Sequence, residues 1–326
     1  MLKIKRVILA ATLALGLAAS AGYAQRADSV SFEVPPVLTT YPSNAPVRAF
    51  TVHQNSLWFA GPSELFMQPL NSQNTQSHSR MGDISAAGIT GIVLAPDGRI
   101  WIGGSEGVAV RAGNNFTSYT AEHGLPAGAV TAVGVGGNGD VWVGTENGAA
   151  RLRSGTWTQF TTEQGLPSNK VQAIAITPGG RAFIGTDRGI GAYDGTAFKV
   201  FNMRGDEGQN LSSNNVRILT AEPQSETIWA AVGAGSVNKY ENGRWTQFMV
   251  EIPGITSIAY DLTTRRVWFG STGREPLMRF NGEEWTSQPS LLGIQATEVH
   301  SLFVDPAGGM WFGMRDNVTS MTRPRR

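Results

Sequence analysis

Cysteine is absent from this 326-residue chain. That excludes a disulfide framework and a lipidated N-terminal cysteine, so the folded chain is held by its core alone. Charge is sparse and even, with 26 basic against 25 acidic residues. No concentrated basic face is visible, which removes the electrostatic footprint that nucleic-acid binding needs. The terminal Arg323-Pro324-Arg325-Arg326 is short enough to be a solvated end. Histidine occurs four times, as His53, His78, His123 and His300, never at metal-ligand spacing. Long apolar runs are missing after the first two dozen residues, so no span is expected in the mature chain.

The one apolar run is N-terminal. Lys3, Lys5 and Arg6 precede an apolar stretch from Val7 to Ala19, followed by small residues at Ala19-Ser20-Ala21 and Gly22-Tyr23-Ala24. This is the layout of a secretory signal peptide. We expect residues 1–24 to be the leader and 25–326 a single exported domain, periplasmic or secreted. Removal of the three basic residues leaves the mature chain slightly acidic.

What the chain does have is a repeat. SLWFAG, RIWIGG, DVWVGT, RAFIGT, TIWAAV, RVWFGS and MWFGM centre on Trp58, Trp101, Trp142, Phe183, Trp229, Trp268 and Trp311, 39 to 46 residues apart. A strand-rich unit near 42 residues is the period of a propeller blade. The third copy shows the plan: strands near 130–135, 140–145, 149–152 and 156–161 are separated by Gly- and Asn-bearing turns, which reads as an antiparallel meander. The expected fold is all-β, a seven-bladed β-propeller of four-stranded antiparallel blades. The seventh copy lacks a fourth strand. Phe32 precedes Val47 by a spacing close to that of the other copies, so residues 29–34 are expected to pair with 317–322 and close the ring.

The segments GLPSNKVQAI (165–174), VWVGTENGAARL (141–152) and FIGTDRGIGAYDGTAF (183–198) resemble the two-component regulator propeller repeat. That family builds the extracytoplasmic sensor part of bacterial hybrid histidine kinases. The resemblance implies ligand sensing, oligosaccharides included. This chain has one set of seven repeats, no kinase and no DNA-binding extension. A signal would therefore pass through a separate envelope protein such as a sensor kinase.

Repeat-locked tryptophans are blade packing, repeated glycines such as Gly148 and Gly189 are turns, and Asp97, Asp140, Asp261 and Asp305 are local turn caps. The column that varies is the second residue of each first strand: Arg48, Thr90, Thr131, Gln172, Arg217, Thr256 and His300. It forms a polar ring near the axis, which a water-filled channel would also explain. Read as a ligand mouth, Arg48, Gln172, Arg217 and His300 favour an anionic or carboxylate group. Turns between second and third strands should share that face and carry Glu146, Asp187, Arg188, Arg274 and Arg315. Tyr41 is the aromatic expected there, and the connections at 71–88 and 202–214 are long enough for a lid or partner contact. The expectation is a monomer that recognises a small anionic or carbohydrate ligand, or an envelope partner, without catalysis and without cofactor or metal. A protein-interaction scaffold is the alternative. A metal-assisted lyase like the virginiamycin B lyases, also seven-bladed, is a further one, although no local motif carries over their His and carboxylate set.

Overall fold

A computed structural model describes residues 37–43, 45–72, 74–287, 298–305 and 308–322. The leader at 1–24 and the segment 29–34 lie outside the described residues. Seven four-stranded antiparallel sheets follow one another around an axis. Blade 3 comprises Val130–Val135, Val141–Thr145, Gly148–Arg153 and Thr156–Phe160, and blade 4 comprises Val171–Ile176, Ala182–Thr186, Gly189–Tyr193 and Phe198–Phe201. Blades 1, 2, 5 and 6 occupy 50–78, 91–119, 216–251 and 255–287. First strands of successive blades adjoin each other and therefore line the axis. Among the described residues, helix is confined to two single turns, Ala121–His123 and Thr162–Gln164.

The core is divided by seam. Seven buried apolar clusters form, each drawn from two adjacent blades. The repeat tryptophans fill them: Trp101, Trp142 and Trp229 are almost fully buried, as is Phe183. Trp101, Trp142 and Trp229 each stack on their own fourth strand and meet the next blade edge-on. Trp142 lies 5.1 Å from Phe160 at 27° and 5.5 Å from Tyr193 at 64°. Such geometry adds to the area term that burial alone provides. Two residues after each aromatic, a small side chain admits the next blade's first strand. A Cβ on Gly185 would stand 2.7 Å from Val216 Cγ1, and one on Gly144 would stand 2.3 Å from Val171 Cγ1.

Blade 7 consists of Ser301–Val304, Met310–Gly313, Asn317–Thr322 and, from the start of the chain, Val37–Pro42. The register runs from Val37 opposite Thr322 to Pro42 opposite Asn317. Closure by an early strand holds, but that strand is 37–42 and not 29–34. The reason is aromatic. Tyr41 stacks on Trp311 at 6.0 Å and 22°, as Tyr119 stacks on Trp101 at 6.0 Å and 20°. Leu38 and Tyr41 thus repeat the spacing of Phe116 and Tyr119, or Trp157 and Phe160. The connection that follows Tyr41 is short, like the one after Phe248, so a fixed spacing from the fourth-strand aromatic misplaced the strand. Tyr41 is therefore buried at the seam and not displayed on a face.

Candidate mouth of the central channel

The first residue of each inner strand pairs with the last residue of the second strand: Val130 with Thr145, Val171 with Thr186, Val216 with Val232 and Ile255 with Ser271. The connections into first strands and the turns after second strands therefore share one face, around the upper rim of the axis. In blades 3 to 6 the ladder slips at the next residue, so Thr131, Gln172, Arg217 and Thr256 are each the extra residue of a β-bulge. A bulge re-aims its side chain out of the sheet's alternation. That is why a polar residue is tolerated on a strand whose neighbours pack against the core.

The re-aimed threonines close seams. Thr90 Oγ1 donates to the Val130 carbonyl at 2.8 Å, and Thr131 Oγ1 donates to the Val171 carbonyl at 2.8 Å. Thr256 Oγ1 donates to the Val299 carbonyl at 2.5 Å. At the closing seam the neighbouring column supplies the hydroxyl, from Ser301 Oγ to the Val47 carbonyl at 2.6 Å. Three of the seven residues of the polar column are thus hydroxyl latches between blades, a role that the sequence column did not disclose.

The four large residues of the column do not latch. Arg48 is exposed, and Gln172, Arg217 and His300 are half-buried. His300 Nε2 lies 3.2 Å from Glu298 Oε2. Gln172 Oε1 and Arg217 Nε and Nη2 are buried without a hydrogen-bond partner among the described residues. Of the turn residues, Glu146 is exposed and faces Lys170 at 3.4 Å across the next seam. Arg188, Arg274 and Arg315 are exposed, whereas Asp187 is half-buried with Oδ1 unpartnered. The nine residues share the face but not one cluster. Gln172 and Arg217 are the bulge residues of blades 4 and 5, Asp187 lies in the turn of blade 4, Arg48 and His300 flank the closing seam, and the exposed turn residues are spread around the rim.

The remaining features are structural. The turns themselves are knitted by buried hydroxyls: Thr186 Oγ1 donates to the Gly189 carbonyl at 2.8 Å and accepts from Arg188 N at 3.1 Å. Asp97, Asp261 and Asp305 accept local backbone amides as turn caps. Asp140 does not: Asn138 caps its turn, and Asp140 instead pairs with Arg153. The long connections are fastened down. Residues 80–85 form a small hairpin with Met81 and Ile84 buried, and Asp83 N donates to Ser118 Oγ at 3.1 Å. In the second, Leu211 is buried and Trp245 N donates to the Gly208 carbonyl at 2.7 Å.

No protein-family model matches the chain, and no curated protein does either. Solved structures do share its fold. The extracellular domain of a putative one-component system from B. thetaiotaomicron is 19% identical with a TM-score of 0.66; the match covers 89% of this chain and 40% of that one. This chain thus spans less than half the length of that extracellular domain. Virginiamycin B lyase from Staphylococcus aureus is 15% identical with a TM-score of 0.70, over 89% of this chain and 100% of the lyase. A further neighbour, YCF48 bound to D1 peptide, is 15% identical with a TM-score of 0.64, over 90% of this chain and 96% of that one. The propeller fold is common to the extracellular domain of a putative one-component system, a lyase and a peptide-bound protein, so it does not by itself choose a function.

Proposed function

We propose that this chain is an exported recognition propeller that binds a small polar ligand at the mouth of its central channel, without covalent chemistry. The observation that carries this reading is the split in the polar column. Small hydroxyl residues at four seams satisfy a neighbour's carbonyl, and the larger residues leave donor and acceptor atoms unused in the same ring. Buried polar atoms without partners cost about 1–3 kcal/mol each. A fold that needed only closure would place a latching threonine there.

Export rests on the leader-like N-terminus, and sensing rests on the resemblance to the two-component regulator repeat. The neighbour from B. thetaiotaomicron, an extracellular domain, supports both. A second reading, a scaffold for an envelope protein, is favoured by apolar side chains on the outer rim: Met249 is 99% exposed and Met203 53% exposed.

A thermal-shift screen against sugars, small carboxylates and divalent cations tests the proposal. A ligand of the folded state raises the melting temperature by mass action. The expected result is stabilisation by a carboxylate-bearing compound, abolished in Arg217→Ala and weakened in Arg48→Ala. Stabilisation that survives both substitutions moves the ligand elsewhere. No stabilisation by any class favours the scaffold.

A further inference from the structure

Asparagine followed by glycine occurs four times, at Asn138-Gly139, Asn147-Gly148, Asn242-Gly243 and Asn281-Gly282. A glycine there has no side chain to shield its backbone nitrogen, which can then approach the asparagine Cγ closely. All four asparagines are exposed and lie in connections between strands. Their amides are not equally free. Asn138 Oδ1 accepts from Asp140 N at 3.1 Å, and Gly139 N donates to the Gly136 carbonyl at 2.9 Å. Asn147 Nδ2 donates to the Ala127 carbonyl at 2.9 Å. Asn281 Oδ1 accepts from Glu283 N at 2.9 Å and from Glu284 N at 2.8 Å. Asn242 differs. It stands at φ 52° and Gly243 at φ 83°, the central pair of a two-residue hairpin turn of the primed kind. Among the described residues, neither the Asn242 side chain nor Gly243 N has a hydrogen-bond partner.

We propose that Asn242 is a site of spontaneous deamidation. Gly243 N gives its proton to a solvent base and bonds to Asn242 Cγ. The Cγ–Nδ2 bond breaks, and the nitrogen takes a proton from water and leaves as ammonia. A cyclic imide remains, and water opens it at either carbonyl. One opening gives aspartate at 242, and the other gives isoaspartate, in which the main chain runs through the former side chain. The net change is water taken up and ammonia released.

The turn matters to its blade. It joins Ser236–Glu241 to Arg244–Glu251 and sets Tyr240 opposite Trp245. Trp245 packs across the seam, 5.8 Å from Phe201 at 74° and 6.5 Å from Phe183 at 81°. The Gly243 carbonyl accepts from Gln209 Nε2 at 3.0 Å, so the same turn holds the 202–214 connection. Isoaspartate puts an extra carbon into the backbone there. It shifts that carbonyl and loosens Trp245 at the seam of blades 4 and 5.

Ageing the full chain at mildly alkaline pH, then digesting it and mapping the peptides by mass spectrometry, reads conversion at each of the four sites. A methyltransferase specific for isoaspartate counts that product. The same chain kept unfolded in urea is the reference, because no turn holds any amide there. Unfolded, the four sites convert at comparable rates. Folded, Asn242 leads each of the others by about fivefold or more, the rate equivalent of breaking one hydrogen bond. The aged chain loses melting temperature in step with isoaspartate at 242. Asn242→Gly keeps a residue that accepts positive φ, removes the amide, and ages without that loss. The comparison of sites within the unsubstituted chain does not depend on whether this variant folds. A folded-state rate at Asn242 no faster than at Asn138, Asn147 or Asn281 overturns the site. A chain converted at 242 that melts as the fresh chain does overturns the loosening of the seam.

Discussion

Between blades 3 and 4, Thr131 donates to the Val171 carbonyl at 2.8 Å. Between blades 4 and 5, Gln172 stands at the same place, and no side chain among the described residues donates to the Val216 carbonyl. The backbone is the same at both: a bulge, a glycine two residues after the central aromatic, and a valine seated on that glycine. One seam invests its polar residue in holding the ring, and the other leaves Gln172 Oε1 without a partner among the described residues. If the mouth binds a ligand as proposed, recognition and closure compete for one column of side chains. Stability given up at a seam is expected where a protein keeps groups free for a ligand.

The comparison is broken most severely by opening the ring. A chain beginning at Ser43 removes the outer strand of blade 7 and strips Tyr41 from Trp311. Loss of one buried aromatic alone costs roughly 3–5 kcal/mol, and the bare strand edge adds an aggregation surface. We expect a fall in melting temperature of more than about 10 °C and loss of monodispersity, read by calorimetry and size exclusion. A chain beginning at Val37 should behave as the mature protein does, since 37–42 is the closing strand. If the Ser43 chain melts unchanged, closure contributes little and the seams are independent.

A smaller and sharper test exchanges the two seams' solutions. Thr131→Val deletes the hydroxyl, keeps the shape and leaves the Val171 carbonyl short of a partner. It should cost about 1 kcal/mol. Arg217→Thr does the reverse. It removes an unsatisfied guanidinium and offers a latch toward the Ile255 carbonyl, so it should leave stability unchanged or raise it by about 1 kcal/mol while abolishing ligand binding. Denaturant titration reads the first quantity and calorimetric titration the second. Destabilisation by Arg217→Thr comparable to that by Thr131→Val would mean that Arg217 is structural.

The repeat made blade number, strand order and the packing role of the tryptophans legible, because those depend on side chains that recur at fixed intervals. The closing strand was misplaced because connection lengths vary, and only the stack of Tyr41 on Trp311 fixes its register. Arg48, Gln172, Arg217 and His300 were visible as a polar column, but a column does not show where a bulge points. The latching role of Thr90, Thr131 and Thr256 and the unused fork of Arg217 depend on three-dimensional register across blades. Asp187 stood out among the turn residues only as one variable charge, and its half-buried, unpartnered Oδ1 emerges only in the folded turn.

The subtlest difference between seams is chemical. At the seam of blades 3 and 4, Trp142, Phe160, Tyr193 and Phe198 form an aromatic box. At the seam of blades 1 and 2 the same places hold Trp58, His78, Arg111 and Phe116, with His78 stacked on Trp58 at 6.0 Å and the Arg111 guanidinium 4.3 Å from the Trp58 ring centre. Burial, and after it the nearby Arg111 cation, holds the His78 imidazole below the usual histidine range. The sign follows from where the proton goes. With a lower affinity in the folded state, protons bind the unfolded chain first as pH drops below about 6.5, so this seam's contribution is full above that pH and declines beneath it. The wild-type protein should therefore lose melting temperature between pH 7.5 and 5.5 by more than a His78→Phe variant does. The variant restores the all-aromatic stacking position and has nothing there to protonate. Equal losses in both would place the acid sensitivity outside this seam.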